Sequence, residues 1–425
     1  MALKSALVWG VVQSALRLTI GFVSIKVTAV YLGAPGLALV GQINNFMGLV
    51  VGGVANAVQT GVVRLTAESA ADRQRHVVIW RTGILLGLLL SLPLAALTAI
   101  LAKPISGWLF DDGRYWPVVV LAGVAVVFTA MSYVLIGVLN GLKRMRDVAL
   151  AQILAIIASA AVFIPSVYLW GLWGGLVGSV VAAATAFFMV LPFVRKATGL
   201  GMTELRAGMD GKIARDILGY LPMLIANASM VPLGLILVRT TIADGLGLDV
   251  AGHWQAMWRI SEMYTMVLTT ALSLFLMPHL SSCKEEKQFA TELFKITLQV
   301  AGITLLAITT IYVLRDLVVR ILFTPEFLPI TDLFAWQLLG DLFKMVRLPL
   351  GMVLVIKKRV AWYIALEVGA PALHSGMTWL LLDSLGANAA TLGYAACYLV
   401  VDLLLLIALR DYLGLWLASR KGEKA

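Results

Sequence analysis

Long apolar stretches separated by short polar breaks recur along the whole 425-residue chain. Each stretch has roughly 20 residues or more, the length that an α-helix needs to cross ~30 Å of hydrocarbon. Hydrophobic residues make up 60% of the chain, charged residues make up 13%, and the mean hydropathy is +0.93. These values lie outside the range of soluble domains. The sequence therefore predicts an all-α polytopic membrane protein.

The apolar stretches predict twelve transmembrane helices in two six-helix lobes, because the longest polar break falls after the sixth stretch. The predicted N-terminal lobe covers 1–195, the cytoplasmic linker 196–213 and the C-terminal lobe 214–425. Two similar turns, "LGAPGLALVG" (32–41) and "LGLDVAG" (246–252), support a repeated half. A chance agreement of two glycine-rich turns is the alternative. The predicted spans are 5–31, 37–62, 77–101, 116–140, 147–169, 174–195, 214–242, 250–280, 292–314, 330–356, 360–383 and 387–413.

The basic residues predict the orientation of these spans. With both termini in the cytoplasm, twenty lysines and arginines lie in or beside inside loops, whereas the outside loops hold only Lys103, Arg114, Arg315 and Arg320. Short loops follow such a bias. The net charge of +10 therefore reflects topology rather than nucleic-acid binding, since the basic residues form no long run.

Several ionisable residues fall well inside the predicted spans. A charge at the bilayer centre costs at least ~2.5 to 3.5 kcal/mol on insertion scales. We therefore expect these side chains to face a water-filled cavity or one another. They are Arg17, Lys26, Arg259, Glu262, Asp341, Lys344, Arg347, Glu367 and Asp402.

Helical spacing limits which of these charges can cooperate. Asp341, Lys344 and Arg347 share one arc of the tenth span, so Asp341 can pair with Lys344 and leave Arg347 as a free cation. Arg17 and Lys26 are nine residues apart and point to opposite faces, unless the first span bends at a glycine such as Gly21.

One further pair and two single residues follow from the same reasoning. Arg259 and Glu262 also have the spacing of an intrahelical pair, and packing alone is the alternative role for such pairs. Glu367 lies near the inner end of the eleventh span. Asp402 has no basic neighbour on its own helix, which makes it a candidate proton or cation site.

Uncharged polar residues are frequent in the second span. Gln42, Asn45 and Asn56 are predicted to line a cavity, and helix–helix hydrogen bonding is the alternative.

Motifs of chemical catalysis are missing from the sequence. The four histidines are dispersed without metal-ligand spacing, and no phosphate-binding loop motif is present. The outer stretches 102–115 and 315–329 are short for a glycosyl-transferring enzyme. We therefore predict a carrier rather than an enzyme, with no cofactor and no metal. Surplus positive charge on Arg17, Lys26 and Arg347 favours an anionic, phosphate-bearing substrate.

Three stretches resemble a known family. "AGHWQAMWRISEMY" (251–264), "LFLMPHLS" (274–281) and "DLFAWQLLGDLFKM" (332–345) are similar to the Wzx flippases, the polysaccharide transporter branch of the multidrug/oligosaccharidyl-lipid/polysaccharide (MOP) exporter superfamily. The resemblance implies two six-helix lobes forming a V around a central cavity. It also implies alternating-access transport of an undecaprenyl-pyrophosphate-linked oligosaccharide from the cytoplasmic to the periplasmic leaflet of the bacterial inner membrane, driven by an ion gradient.

The resemblance also implies site positions. The basic residues of span one fall at Arg17 and Lys26, and the remaining family positions fall at Glu262, Asp341, Lys344 and Glu367. Arg259 and Arg347 depart from the family pattern. Combined with the reasoning from the residues, this gives a substrate-binding set and an ion-coupling set. The substrate-binding set is Arg17, Lys26, Arg259, Lys344, Arg347, Gln42, Asn45 and Asn56; the ion-coupling set is Glu262, Asp341, Glu367 and Asp402.

The expected partners are the lipid-linked oligosaccharide, a coupling proton or sodium ion, membrane lipids and other polysaccharide assembly proteins. One alternative is a cation-coupled multidrug antiporter on the same fold, against which the basic cavity argues. Another is a membrane-embedded polymerase or ligase, against which the short outer loops argue.

Overall fold

The computed structural model describes residues 2–69, 72–199, 208–219, 221–283, 285–357 and 359–422, and this part of the chain is helical without strands. The helices are α1 (Ala2–Glu68), α2 (Arg73–Ile100), α3 (Ala102–Phe110), α4 (Trp116–Gly141), α5 (Met145–Thr198), α6 (Gly211–Leu218), α7 (Leu221–Leu246), α8 (Leu248–Ser282), α9 (Glu286–Val313), α10 (Arg315–Leu322), α11 (Phe334–Ile356), α12 (Val360–Leu385), α13 (Asn388–Ala408) and α14 (Arg410–Gly422).

Two of these elements, α1 and α5, each consist of two helical segments that meet at a sharp turn on a glycine. Gly33 in α1 and Gly171 in α5 have non-helical backbone angles. The described residues then contain two long segments in α1, two in α5, and one in each of α2, α4, α7, α8, α9, α11, α12 and α13. This arrangement is consistent with the twelve predicted spans. Within the described ranges, seven helices are long and apolar enough to cross a membrane by length and composition. The protein is an all-α, multi-pass membrane protein.

The seventh span differs from its predicted bounds of 214–242. The structure has a short helix, α6, followed by α7 from Leu221. The Asp210 carboxylate caps α6 by accepting hydrogen bonds from the backbone amides of Lys212 and Ile213, both at 2.9 Å. The hydropathy pattern missed this start because residues 214–220 continue directly into the apolar run.

The chain divides into two compact units, Met1–Ile236 and Leu237–Ala425, with the boundary inside α7. The predicted boundaries at 1–195, 196–213 and 214–425 remain a prediction, and 200–207 of the predicted linker lie outside the described residues.

Small residues allow close helix packing in the first unit. A Cβ added to Gly53 would lie 2.8 Å from Ile225 Cα, and one added to Gly137 would lie 3.1 Å from the carbonyl oxygen of Gln59. Close approach through glycine is typical of helix contacts in membranes. In the second unit α13 packs against both α11 and α12, and α11 also packs against α8 and α9.

Glycine turns at matching places connect helices in both units. Gly171 (φ 54°, ψ −133°) lies between the helical segments of α5, and Gly386 (φ 56°, ψ −136°) follows α12. Gly33 (φ 64°, ψ −166°) interrupts α1, and Gly247 (φ 92°, ψ 164°) separates α7 from α8. Positive φ favours glycine, because glycine has no Cβ to clash. Gly33 and Gly247 belong to the two similar turns of the sequence.

Two further connections recur in the same order. Leu101, between α2 and α3, has φ −90° and ψ 15°, and Leu314, between α9 and α10, has φ −92° and ψ 9°. Arg144 before α5 (φ −83°, ψ 58°) matches Arg359 before α12 (φ −81°, ψ 62°). The second half of the chain therefore repeats the connections of the first.

Candidate functional site

A fully buried carboxylate joins three helices of the second unit. Asp341 of α11 accepts hydrogen bonds from Ser261 Oγ, 2.6 Å from each carboxylate oxygen, and from the Tyr394 hydroxyl at 2.9 Å. The Tyr264 hydroxyl donates to Oδ2. Ser261 and Tyr264 share one side of α8 because they are three residues apart. We call Asp341 with these three hydroxyl residues the hydroxyl cage.

Local sequence makes this arrangement possible. Gly340 leaves room for the Tyr394 ring, since an added Cβ would lie 2.7 Å from Tyr394 Cε1. The close ion pair that the spacing of Asp341 and Lys344 allows is not formed, because no contact within 4.0 Å joins their charged groups. Hydroxyl groups of α8 and α13 occupy the carboxylate instead. Helical spacing within α11 alone could not reveal those donors.

Arg347 is not a free cation. It forms an ion pair with Glu367 of α12, and both side chains are largely buried, with 18% and 14% of their surface exposed. The guanidinium also lies 5.7 Å from the centroid of the Tyr398 ring. The prediction of a free charge on Arg347 is therefore wrong, because its partner is on a different helix.

Neutralising one member of this pair is expected to destabilise the protein more than neutralising both. Arg347→Gln or Glu367→Gln leaves a buried charge without its partner, which costs about 3 kcal/mol. The double variant R347Q/E367Q removes both charges and is expected to recover most of that loss. Thermal unfolding of detergent-purified variants measures the difference.

The exposed pair Arg64–Glu68 provides a matched control, since its side chains are 58% and 55% exposed. Arg64→Gln is expected to leave the unfolding temperature unchanged. If the loss of stability in R347Q/E367Q equalled the sum of the losses in the two single variants, the result would contradict the pairing of Arg347 with Glu367.

The structure forms the intrahelical pair that the spacing of Arg259 and Glu262 predicts. Arg259 Nη1 lies 2.8 Å from Glu262 Oε2, and the indole N–H of Trp258 donates to Glu262 Oε1 at 2.9 Å. Both oxygens of the Glu262 carboxylate therefore have donors.

Lys344 lies beside the same indole. Its ammonium nitrogen is 5.7 Å from the centroid of the Trp258 ring. In the part of the chain that the structure describes, no carboxylate oxygen lies within 4.0 Å of this nitrogen. Lys344 therefore differs from Arg259 and Arg347, which both form ion pairs.

Asp402 of α13 is the second buried carboxylate of this unit. Its Oδ1 atom is buried, and among the described residues it has no hydrogen-bond partner. The two buried aspartates therefore differ: Asp341 is fully hydrogen-bonded, and Asp402 has an oxygen available.

Arg239 lies near the end of the seventh span, a place that predicts a side chain extending to the lipid headgroups. That prediction is wrong, because only 2% of the side chain is exposed. It donates to Gln255 Oε1 and lies over the Trp254 ring at 5.6 Å. The polar Gln255 inside α8 was the one signal that could have indicated this contact.

The predicted substrate-binding residues of the first unit all lie on α1. Arg17 is exposed and Lys26 is partly buried. The backbone of α1 is helical at Gly21, and its non-helical residue is Gly33. Arg17 and Lys26 therefore keep the opposite directions that their spacing gives.

The amides of α1 have different surroundings. Gln42 is buried, whereas Asn45 and Asn56 are partly buried. Asn56 Nδ2 donates to the Gly52 carbonyl at 2.7 Å. One Asn56 donor is thus used within its own helix, which fits the packing alternative for this residue. Cavity lining remains a prediction for all three.

Curated relatives match almost the whole chain. Lipid III flippases of Escherichia coli (strain K12) and Shigella flexneri are each 27% identical over 403 residues, which cover 94% of this chain and 96% of each relative.

Solved structures show a shared fold. An inward-facing multidrug resistance MATE family transporter of the MOP superfamily has a TM-score of 0.75 at 14% identity, covering 94% of this chain and 98% of that one. The inward closed conformation of the lipid II flippase MurJ has a TM-score of 0.71 at 10% identity, covering 97% and 90%. The resemblance to MOP exporters is confirmed at the level of fold.

A family match completes the comparison. Residues 45–332 match the family described as polysaccharide biosynthesis protein, which is more than half of the chain. The chain therefore belongs to the polysaccharide biosynthesis protein family, on the helical fold of the MOP superfamily transporters.

Proposed function

We propose that this protein is a flippase that moves an undecaprenyl-pyrophosphate-linked oligosaccharide from the cytoplasmic to the periplasmic leaflet of the bacterial inner membrane, with both termini in the cytoplasm. The similarity to lipid III flippases over 94% of the chain carries this proposal. Alternating access, which the resemblance to Wzx flippases implies, suits such a substrate. The sugar and pyrophosphate of the substrate would cross through the protein while its polyprenyl chain stays in lipid.

The pyrophosphate needs cations that are not already neutralised. Lys344 meets this requirement in the second unit. Arg17 and Lys26 of the first unit are kept as further proposed basic contacts. Arg259 forms an ion pair with Glu262, and Arg347 forms one with Glu367. Each arginine would therefore bind phosphate only after it releases its carboxylate partner. We assign Lys344 the leading role and keep Arg259 and Arg347 as secondary contacts. Gln42, Asn45 and Asn56 offer amides to sugar hydroxyls.

Four carboxylates are proposed for coupling to a proton or sodium ion. They are Glu262, Asp341, Glu367 and Asp402. Asp402 is the strongest of them, because its Oδ1 has no protein donor in the described part of the chain. Asp341 is the weakest, because three hydroxyl residues already donate to it. Handover of the flipped substrate to other polysaccharide assembly proteins completes the proposal.

Depletion of the protein in its own cells tests this function. We expect a lipid-linked oligosaccharide with its pyrophosphate intact to accumulate on the cytoplasmic side, because synthesis continues while export stops. Thin-layer chromatography and mass spectrometry of extracted lipids measure it, and restored expression of the intact protein is the control. Efflux of cationic dyes that depends on the protein, without such an accumulation, would instead support the multidrug antiporter.

A further inference from the structure

Trp258 lies at the centre of the charged cluster in the second unit. Its side chain is buried on α8, with 6% exposed, and it meets residues of the three other helices of the cluster. The ring lies 5.2 Å from Tyr394 of α13, 6.4 Å from His374 of α12 and 5.7 Å from Lys344 Nζ of α11, measured from the ring centroid.

The indole also has a specific polar role. Its N–H donates to Glu262 Oε1 at 2.9 Å, while Arg259 holds Glu262 Oε2 at 2.8 Å. An arginine and an indole thus occupy both oxygens of this carboxylate. If the indole N–H were absent, Glu262 Oε1 would need a different hydrogen-bond donor.

Lys344 of α11 is a cation that lies against the same indole. Its ammonium group and the Glu262 carboxylate lie against the same indole, and they form no ion pair within 4.0 Å. The face of an aromatic ring attracts a cation without neutralising its charge. The indole therefore contacts two groups of opposite charge at once, a lysine at its ring and a glutamate at its N–H.

We propose that Trp258 is a positioning residue that keeps Glu262 on Arg259 and thereby keeps Lys344 available for the anionic head group of the substrate. This inference rests on the proposed function, since it states how the cluster preserves a free cation for pyrophosphate. Trp258 acts through Glu262 and Lys344 and does not itself touch the substrate.

Trp258→Phe tests this role, because phenylalanine keeps a ring and removes the indole N–H. Purified protein in proteoliposomes would be supplied with a fluorescent short-chain polyprenyl-pyrophosphate disaccharide. We expect the half-saturating concentration to rise roughly tenfold, as for loss of a hydrogen bond to a charged group, with the maximal rate little changed. Because Glu262 is also a proposed coupling residue, W258F/E262Q is compared by equilibrium binding of the probe without an ion gradient. Its dissociation constant should return close to the unmutated value, because a neutral amide cannot capture Lys344.

Trp254→Phe is the matched control. Trp254 is one helical turn away on α8, is fully buried, and its indole nitrogen has no hydrogen-bond partner among the described residues. The same change there should leave the half-saturating concentration unchanged.

Two results would overturn the proposal: an equal effect of W254F, or no recovery in W258F/E262Q when both variants fold like the unmutated protein. Failure of the unmutated protein to move the probe would contradict the proposed function itself. Normal transport by the unmutated protein together with an unaffected W258F would contradict only the positioning role.

Discussion

Replacing Lys344 by glutamine is expected to lower transport of the lipid-linked oligosaccharide by about 100-fold or more, because the loss of one desolvated charge contact to a phosphate costs roughly 3 kcal/mol. Lys344 has no ion pair within 4.0 Å in the described part of the chain, and we therefore assign its charge to the substrate. Transport in cells that lack the native protein, with membrane abundance measured in parallel, gives the result.

Lys295→Gln is the control for this variant. Lys295 lies on α9, is 58% exposed and pairs with Glu292 at 3.4 Å. Its neutralisation should leave transport intact. Normal surface glycan in cells carrying K344Q would contradict the assignment of Lys344 to the substrate.

Replacing Asp341 by alanine is expected to destabilise the second unit by several kcal/mol. The change removes the acceptor of the hydroxyl cage, and each buried hydroxyl left unsatisfied costs about 1–3 kcal/mol. Asp341→Asn keeps one acceptor oxygen and should cost less. Tyr394→Phe removes a single donor and is expected to cost about 1 kcal/mol. Thermal unfolding in detergent measures this order of effects.

Asp402→Asn provides the comparison. Asp402 is also buried, but its Oδ1 has no hydrogen-bond partner among the described residues. Its replacement should leave the unfolding temperature near that of the unmutated protein. Equal losses in D341A and D402N would show that the hydroxyl cage adds no stability beyond burial.

The sequence was most informative about features that lie within one helix. Apolar length predicted the spans, because crossing hydrocarbon requires a fixed number of helical residues. The spacing of Arg259 and Glu262 predicted their contact, because residues three apart share a helix face. The two Leu-Gly turns predicted matching positions, at which Gly33 and Gly247 both have positive φ.

Contacts between helices could not be predicted in this way. The spacing predicts a free Arg347, because its partner, Glu367, lies 20 residues further along the chain on α12. It pairs Asp341 with Lys344, because the hydroxyl donors on α8 and α13 are 53 to 80 residues away. The polarity of a residue does not show which residue of a neighbouring helix it contacts.

The most direct measurement follows the substrate across a membrane made only of lipid and this protein. A fluorescent short-chain polyprenyl-pyrophosphate oligosaccharide would be placed in one leaflet of proteoliposomes, and its arrival in the other leaflet would be timed with a quencher that does not cross the membrane. We predict transfer much faster than in protein-free vesicles, and slow transfer with K344Q. Transfer no faster than in protein-free vesicles, at matched protein folding, would contradict the flippase account.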